Sequence, residues 1–194
     1  MQPLIDGDVL RYEIGFAAET GWGKDNGLPP FDYVMDLLDN KISYICATVE
    51  ATEPPILYLT GSKNFRNEIA KTFIYKDREG NKPWHFKNIT AYMKAKYNVI
   101  IEEGFEADDL MSIEQVHRPG ETIICTRDKD LRAVPGFHFG WELGNQPQFG
   151  PERIDDFGYI KLNSKRNKLL GGGYLFFLGQ CLVGDSVDTV PWVS

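Results

Sequence analysis

The chain has 194 residues, 42% of them hydrophobic, which suffices for one sizeable core and predicts a single globular domain spanning 1–194. No apolar run approaches the length of a membrane span and Met1-Gln2-Pro3 opens no signal peptide, so no membrane partner is expected and a cytoplasmic location is. With 28 acids against 21 bases the net charge is −7, which taken alone argues against a polyanionic ligand.

Pro3-Leu4-Ile5 reads as a short apolar strand ending in Asp6-Gly7-Asp8, and Leu10 to Ala18 follows with helical spacing. The two aspartates therefore lie between a strand end and a helix start. Gly21 to Pro30 reads as a loop. From Phe31 to about Val49 the apolar positions Val34, Leu37, Leu38, Ile42, Ile45 and Cys46 recur at three- and four-residue steps, predicting a long amphipathic helix whose stripe faces the core. Pro54-Pro55 ends the connection to a buried strand at Ile56 to Leu59. Asn64 to Lys71 and Trp84 to Tyr97 have helical patterns, with aromatic and basic residues mixed between them. Val99-Ile100-Ile101 predicts a third strand. A helix starts at Glu106-Ala107-Asp108-Asp109-Leu110 and runs to about His117, where Arg118-Pro119-Gly120 breaks it. Thr122 to Cys125 is a fourth strand, with Thr126-Arg127-Asp128 turning off its carboxyl end, and Phe137-His138-Phe139 reads as a short edge strand. Residues 140–173 show no clear period, Gly171-Gly172-Gly173 reads as a flexible joint, and Tyr174 to Val183 as a last helix. Strands alternating with helices imply right-handed crossovers: an α/β fold with a central, mostly parallel sheet flanked by helices.

Charge is unevenly placed. Nine acids (Asp6, Asp8, Glu106, Asp108, Asp109, Asp128, Asp130, Asp185, Asp188) fall in four short clusters, each just past a strand or at a helix end. Setting them aside leaves 19 acids against 21 bases. Residues 61–100 carry nine Lys/Arg and three Asp/Glu, a local +6 suited to phosphates, and 161–168 add Lys161, Lys165, Arg166 and Lys168. In open α/β sheets ligands bind at the carboxyl ends of the strands. Carboxylates gathered there raise one another's pKa unless cations neutralise them, and hard Mg²⁺ or Mn²⁺ takes oxygen ligands. Two such ions about 4 Å apart would clamp an in-line phosphate displacement. A solvated acidic helix start accounts for Glu106 or Asp108 singly, but not for the second cluster.

In order and spacing, L-I-D-G-D, G-F-E-A-D-D-L, T-R-D-K-D-L and L-V-G-D-S-V-D resemble the motifs of the 5′–3′ exonuclease and flap endonuclease family, which includes phage exonucleases and the 5′ nuclease domain of bacterial DNA polymerase I. N-F-R-N-E-I with Tyr75-Lys76-Asp77-Arg78 resembles that family's basic arch, here over residues 61–97. The resemblance covers nearly the whole chain. It implies a PIN-like 5′ nuclease core, two Mg²⁺ (or Mn²⁺) ions, and hydrolysis of DNA at a 5′ end or flap, RNA primers being a further substrate, by a monomer (in the host cytoplasm if phage-encoded). Carried over by motif, Asp6, Glu106 and Asp108 would hold one metal and Asp128, Asp130 and Asp185 the second, with Asp109 and Asp188 assisting. Lys76 and Arg78 would meet the scissile phosphate as catalytic residues, and Arg66, Lys71 and Lys82 would steer the DNA strand. Two departures stand out. The family carries a further aspartate after its second strand, where this chain has Thr60-Gly61. G-D-S-V-D is normally followed by a helix–hairpin–helix that grips duplex, whereas here only Thr189 to Ser194 remain, so truncation or loss of that anchor is expected.

Two other readings stay open. Leu4-Ile5-Asp6-Gly7-Asp8-Val9 also resembles the opening of haloacid-dehalogenase-like phosphatases, with Asp6 as nucleophile and Asp8 as general acid. The missing aspartate and short end suit a DNA-junction binder without turnover. Among lesser candidates, His85, His117 and His138 show no metal spacing with one another. Cys46, Cys125 and Cys181 read as buried thiols of a reducing compartment, Cys125 as core rather than nucleophile. Phe73, Tyr75 and Trp84 suit base stacking and arch packing equally.

Overall fold

The structure, a computed structural model, describes residues 1–23, 26–63, 65–66, 80–165 and 168–183. The middle of the segment predicted as a basic arch, including Lys71, Lys76 and Arg78, lies outside the described residues, as do Asp185 and Asp188.

Among the described residues six strands form the main sheet: β1 (Gln2–Asp6), β2 (Ile56–Tyr58), β3 (Asn98–Ile100), β4 (Thr122–Cys125), β5 (Gly136–Gly140) and β6 (Phe149–Ile154), in the order β3-β2-β1-β4-β5-β6. The first five run parallel and β6 is antiparallel to β5. Among the described residues the helices are α1 (Gly7–Trp22), α2 (Phe31–Thr48), α3 (Phe86–Lys96), α4 (Ala107–His117) and α5 (Gly173–Val183). Among the described residues no helix is long and apolar enough to cross a membrane.

Strand alternation assigns the two faces. Ile5, Leu57, Ile123, Cys125 and Phe139 pack with Leu10, Ile14, Val34, Leu38, Ile45, Ile89 and Met93, so α1, α2 and α3 cover one side. Leu4, Ile56, Tyr58 and Ile124 point the other way onto Ala107, Leu110 and Met111 of α4 and Leu131 of a short 3-10 turn at Asp130–Ala133. Both faces are dry, which is why these strands read as continuous apolar runs rather than as alternations. The α1–β2 contact is close enough that a Cβ at Gly7 would lie 2.8 Å from the Tyr58 carbonyl oxygen, so the glycine between Asp6 and Asp8 lets the helix start against the sheet.

The structure corrects the sequence reading in four places. β5 is internal, because β6 pairs outside it. The unreadable stretch supplies β6 and a separate antiparallel hairpin, β7 (Tyr159–Leu162) with β8 (Leu169–Gly172). Gly171 and Gly172 are paired and buried in β8 and Gly173 opens α5, so they are no joint. Cys125 is buried and Cys46 half-buried, but Cys181 is exposed on α5.

Candidate metal centre

The chain leaves β1 for β2 and β3 on one side, then returns to build β4 and β5 on the other. That reversal opens a crevice at the carboxyl ends of β1 and β4. Asp6, the last residue of β1, caps α1 there: its Oδ1 accepts from the Val9 amide at 3.0 Å. Its Oδ2 accepts from the hydroxyl of Thr126, the residue just past β4, at 2.7 Å, and Thr126 Oγ1 accepts in turn from the Asp128 amide at 3.0 Å. A three-residue chain thus ties the first acidic motif to the third. Asp6 is buried, and desolvation raises its carboxyl from 3.8 to about 7 against the lowering effect of the Val9 and Thr126 bonds, with Asp8 and Asp128 adding repulsion.

Asp8 pairs with Arg11 one turn on, at 2.7 Å, and accepts from the Thr60 amide at 3.2 and 3.3 Å. Thr60 Oγ1 accepts from the Ala107 amide at 3.1 Å, so the residue past β2 links the first motif to the start of α4. This is where the resembling family has its extra aspartate. A Cβ at Gly61 would lie 2.8 Å from the Glu102 carbonyl oxygen, so the backbone of the 102–103 turn occupies the space a side chain would need.

Glu106 caps α4, and Asp109 reaches back to accept from the Glu106 amide at 3.0 Å. Asp108 Oδ1 accepts from the Asp109 amide at 2.9 Å. Arg66 forms a two-pronged bridge to Asp109, both bonds 2.6 Å, and lies 3.5 Å from Glu106. Its guanidinium is the counter-charge of the second motif. Asp130 accepts from Lys129 at 2.7 Å and from Gln180 on α5. Lys82 stands over the Phe86 ring at 5.2 Å, with Arg11 over the same ring at 4.4 Å.

The described acids thus occupy three neighbourhoods: Asp6 with Asp8 and Asp128; Glu106, Asp108 and Asp109 at the start of α4, the first and last of them beside Arg66; Asp130 with Lys129 and Gln180. Among the described residues no three Asp, Glu, His or Cys side chains are disposed to hold a metal ion. Their donor chemistry fits one nonetheless. All are carboxylate oxygens, and the buried Asp6, opposed by Asp8 and Asp128, is the group a hard cation would neutralise. Arg11, Thr60 and Thr126 were missed in the sequence. Arg11 had a signal, its i,i+3 spacing from Asp8; the two threonines follow strand ends, where hydroxyl residues are common.

No protein family model matches the chain, and no curated protein matches it in sequence. Its fold is that of solved nucleases of bacteriophage T5. It is similar to a flap endonuclease variant in a pseudo-enzyme-product complex with DNA and metal ions (TM-score 0.62, 13% identity, 100% of this chain and 70% of that one). A structure of the phage protein co-crystallised with metal ions gives TM-score 0.59 at 14% identity over 100% of this chain and 69% of the other. A 5′-exonuclease mutant gives 0.57 at 15% identity over 100% and 66%.

Proposed function

We propose that this chain is a divalent-metal-dependent nuclease that hydrolyses phosphodiester bonds in DNA as a 5′–3′ exonuclease or 5′ flap endonuclease, RNA primers falling in the same substrate class. The observation that carries the reading is the Asp6–Thr126–Asp128 linkage at the reversal of strand order, where an α/β sheet offers its binding crevice. The fold shared with nucleases over the whole chain length supports it.

Asp6, Glu106 and Asp108 would hold one Mg²⁺ or Mn²⁺, and Asp128, Asp130 and Asp185 the other, with Asp109 and Asp188 assisting. Such ions, when bound, supply an ionised water at neutral pH and charge stabilisation for the departing oxygen. The chain's own residues do the rest. Thr126 fixes the Asp6 carboxylate and the Asp128 backbone in one register. Arg66 pairs with Asp109 and stands beside Glu106, holding the start of α4 in place. Lys76 and Arg78 neutralise charge on the phosphate undergoing attack, and Lys71 and Lys82 guide the strand.

The phosphatase reading is weaker, because both Asp6 oxygens accept hydrogen bonds, whereas a nucleophilic aspartate must keep an oxygen open to the phosphate. Binding without turnover gains from Arg66 sitting on two of the acids.

One experiment separates the three. Wild-type protein with Mg²⁺ or Mn²⁺ should release nucleotides from 5′-ended DNA. Asp128→Asn should lower that rate by at least about a thousandfold, the several kcal/mol carried by a metal site, while DNA binding persists. Near-normal cleavage by the variant would remove Asp128 from the chemistry. Phosphate release from small monoesters would favour the phosphatase, and DNA binding with no cleavage the junction binder.

A further inference from the structure

Beside the acidic edge, between the outer strands of the sheet and the β7–β8 hairpin, lies a cavity of about 260 Å³. In a chain of net charge −7, its wall carries Arg127, Lys129, Arg132 and Lys161 and, among the described residues, no Asp or Glu. The first three come from the turn after β4, so the cavity adjoins Asp128 and Asp130 in the chain. Lys161 comes from the hairpin, which the sequence left unread.

The four cations are not equivalent. Arg127 braces the wall: its guanidinium donates to the Trp141 carbonyl, the Gln146 side chain and, at 3.4 Å, the Leu143 carbonyl, holding the loop between β5 and β6 in place. Lys129 is paired with Asp130. Arg132 is different. Its side chain is half-buried, with the guanidinium 3.8 Å from the centroid of the Phe149 ring, and forms no hydrogen bond or salt bridge among the described residues. A half-buried guanidinium with no protein acceptor has its donors available, and an anion would take them in charge-assisted hydrogen bonds. Tyr159 forms the opposite wall, with Lys161 Nζ 5.4 Å from its ring centroid.

We propose that this cavity is a nucleotide site, in which Arg132 and Lys161 take the phosphate and the Phe149 and Tyr159 rings take the sugar and base. Cations beside aromatic faces recognise a phosphate attached to a π-surface, and the volume lies just under the ~300–1,000 Å³ of sites for larger ligands, suiting one nucleotide rather than several. The choice of a nucleotide over another aromatic phosphate rests on the nuclease reading. The anion site itself rests on Arg132. Two sources share this chemistry: a nucleotide within the bound strand, and the mononucleotide released by cleavage.

The test is calorimetric titration of the full chain with deoxyadenosine 5′-monophosphate in EDTA, without divalent ions, so that neither turnover nor metal binding contributes. Wild-type protein should bind saturably. Arg132→Met, which keeps the contact with Phe149, should weaken binding at least tenfold, and Arg132→Lys should retain part of it. Lys161→Glu, an exposed position where folding is not at stake, should also weaken it at least tenfold. A 5′-phosphorylated single-stranded oligonucleotide forms the second arm. Loss of affinity for both ligands in Lys161→Glu assigns the site to the strand, and loss for the mononucleotide alone assigns it to the product. No saturable binding by wild type, or equal binding by wild type and Lys161→Glu, overturns the proposal. Because no cleavage is read, a protein that cleaves DNA but fails here loses the cavity and keeps its nuclease reading; one that binds here but never cleaves does the reverse.

Discussion

Thr126 and His138 show how much single buried polar atoms decide. Thr126 donates to Asp6 and accepts from the Asp128 amide, at 2.7 and 3.0 Å. Thr126→Val keeps the shape and removes both bonds, so a buried carboxyl loses a donor and an amide its acceptor. Urea unfolding should show a loss of about 1–3 kcal/mol, with Thr126→Ser close to wild type and cleavage falling only in the valine variant. His138 Nε2 lies 2.7 Å from the Val134 carbonyl oxygen, which fixes the proton there. Nδ1 is buried without a partner, so the ring has no acceptor for a second proton. Burial accordingly lowers its pKa from 6.5 to about 4. The unfolded chain takes up that proton below pH 6.5 and the folded one only near 4, so His138 makes stability fall as pH drops through this window, by about 2 kcal/mol at pH 5 relative to pH 7.5. The raised Asp6 carboxyl acts in the opposite direction, so the prediction is read from a difference. His138→Gln should flatten the fall between pH 7.5 and 5 relative to wild type, and parallel curves would refute it.

At the scale of elements, the crevice is held open by ties between helices and strands rather than by the helices alone. Glu13 on α1 accepts from Lys41 of α2 at 3.0 Å and from the indole of Trp141, just past β5, at 2.8 Å, with its side chain only 6% exposed. Glu13→Ala strands a buried indole N–H and a partly covered ammonium. A loss of about 2–3 kcal/mol in urea unfolding is expected, larger than for Glu13→Gln, which keeps a hydrogen-bond acceptor. Gly61 has a comparable role at the other rim: the 102–103 turn packs where a side chain would stand, and Thr60 bridges Asp8 to α4. The position of the absent aspartate has become a packing contact.

For the whole molecule, the net charge of −7 conceals a local +6 over residues 61–100, so DNA should bind through that segment despite an acidic average. Each phosphate contact on a single strand contributes roughly 0.7 to the slope of log affinity against log salt. Replacing Lys71, Lys76 and Arg78 together by alanine should therefore lower that slope by about two, read by fluorescence anisotropy in EDTA over a salt series. An unchanged slope would move the DNA path elsewhere on the surface.

What could be read from the chain and what could not divide along a physical line. The order of strands and helices and the positions of Asp6, Glu106 and Asp128 past strand ends or at a helix start were legible. Hydrophobic period is a local property, and parallel strands must send their carboxyl ends to one edge. The sequence could not say which acids face one another. Thr126 meets Asp6 across 120 residues and Arg66 meets Asp109 across 43, and a contact that distant leaves no periodic trace. The β6 strand and the β7–β8 hairpin were equally invisible: β6 carries Gly150-Pro151, β8 ends in Gly171-Gly172, and none shows a strict alternation of apolar and polar residues. Only tertiary packing brought Lys161 to Arg132, and with it the cavity.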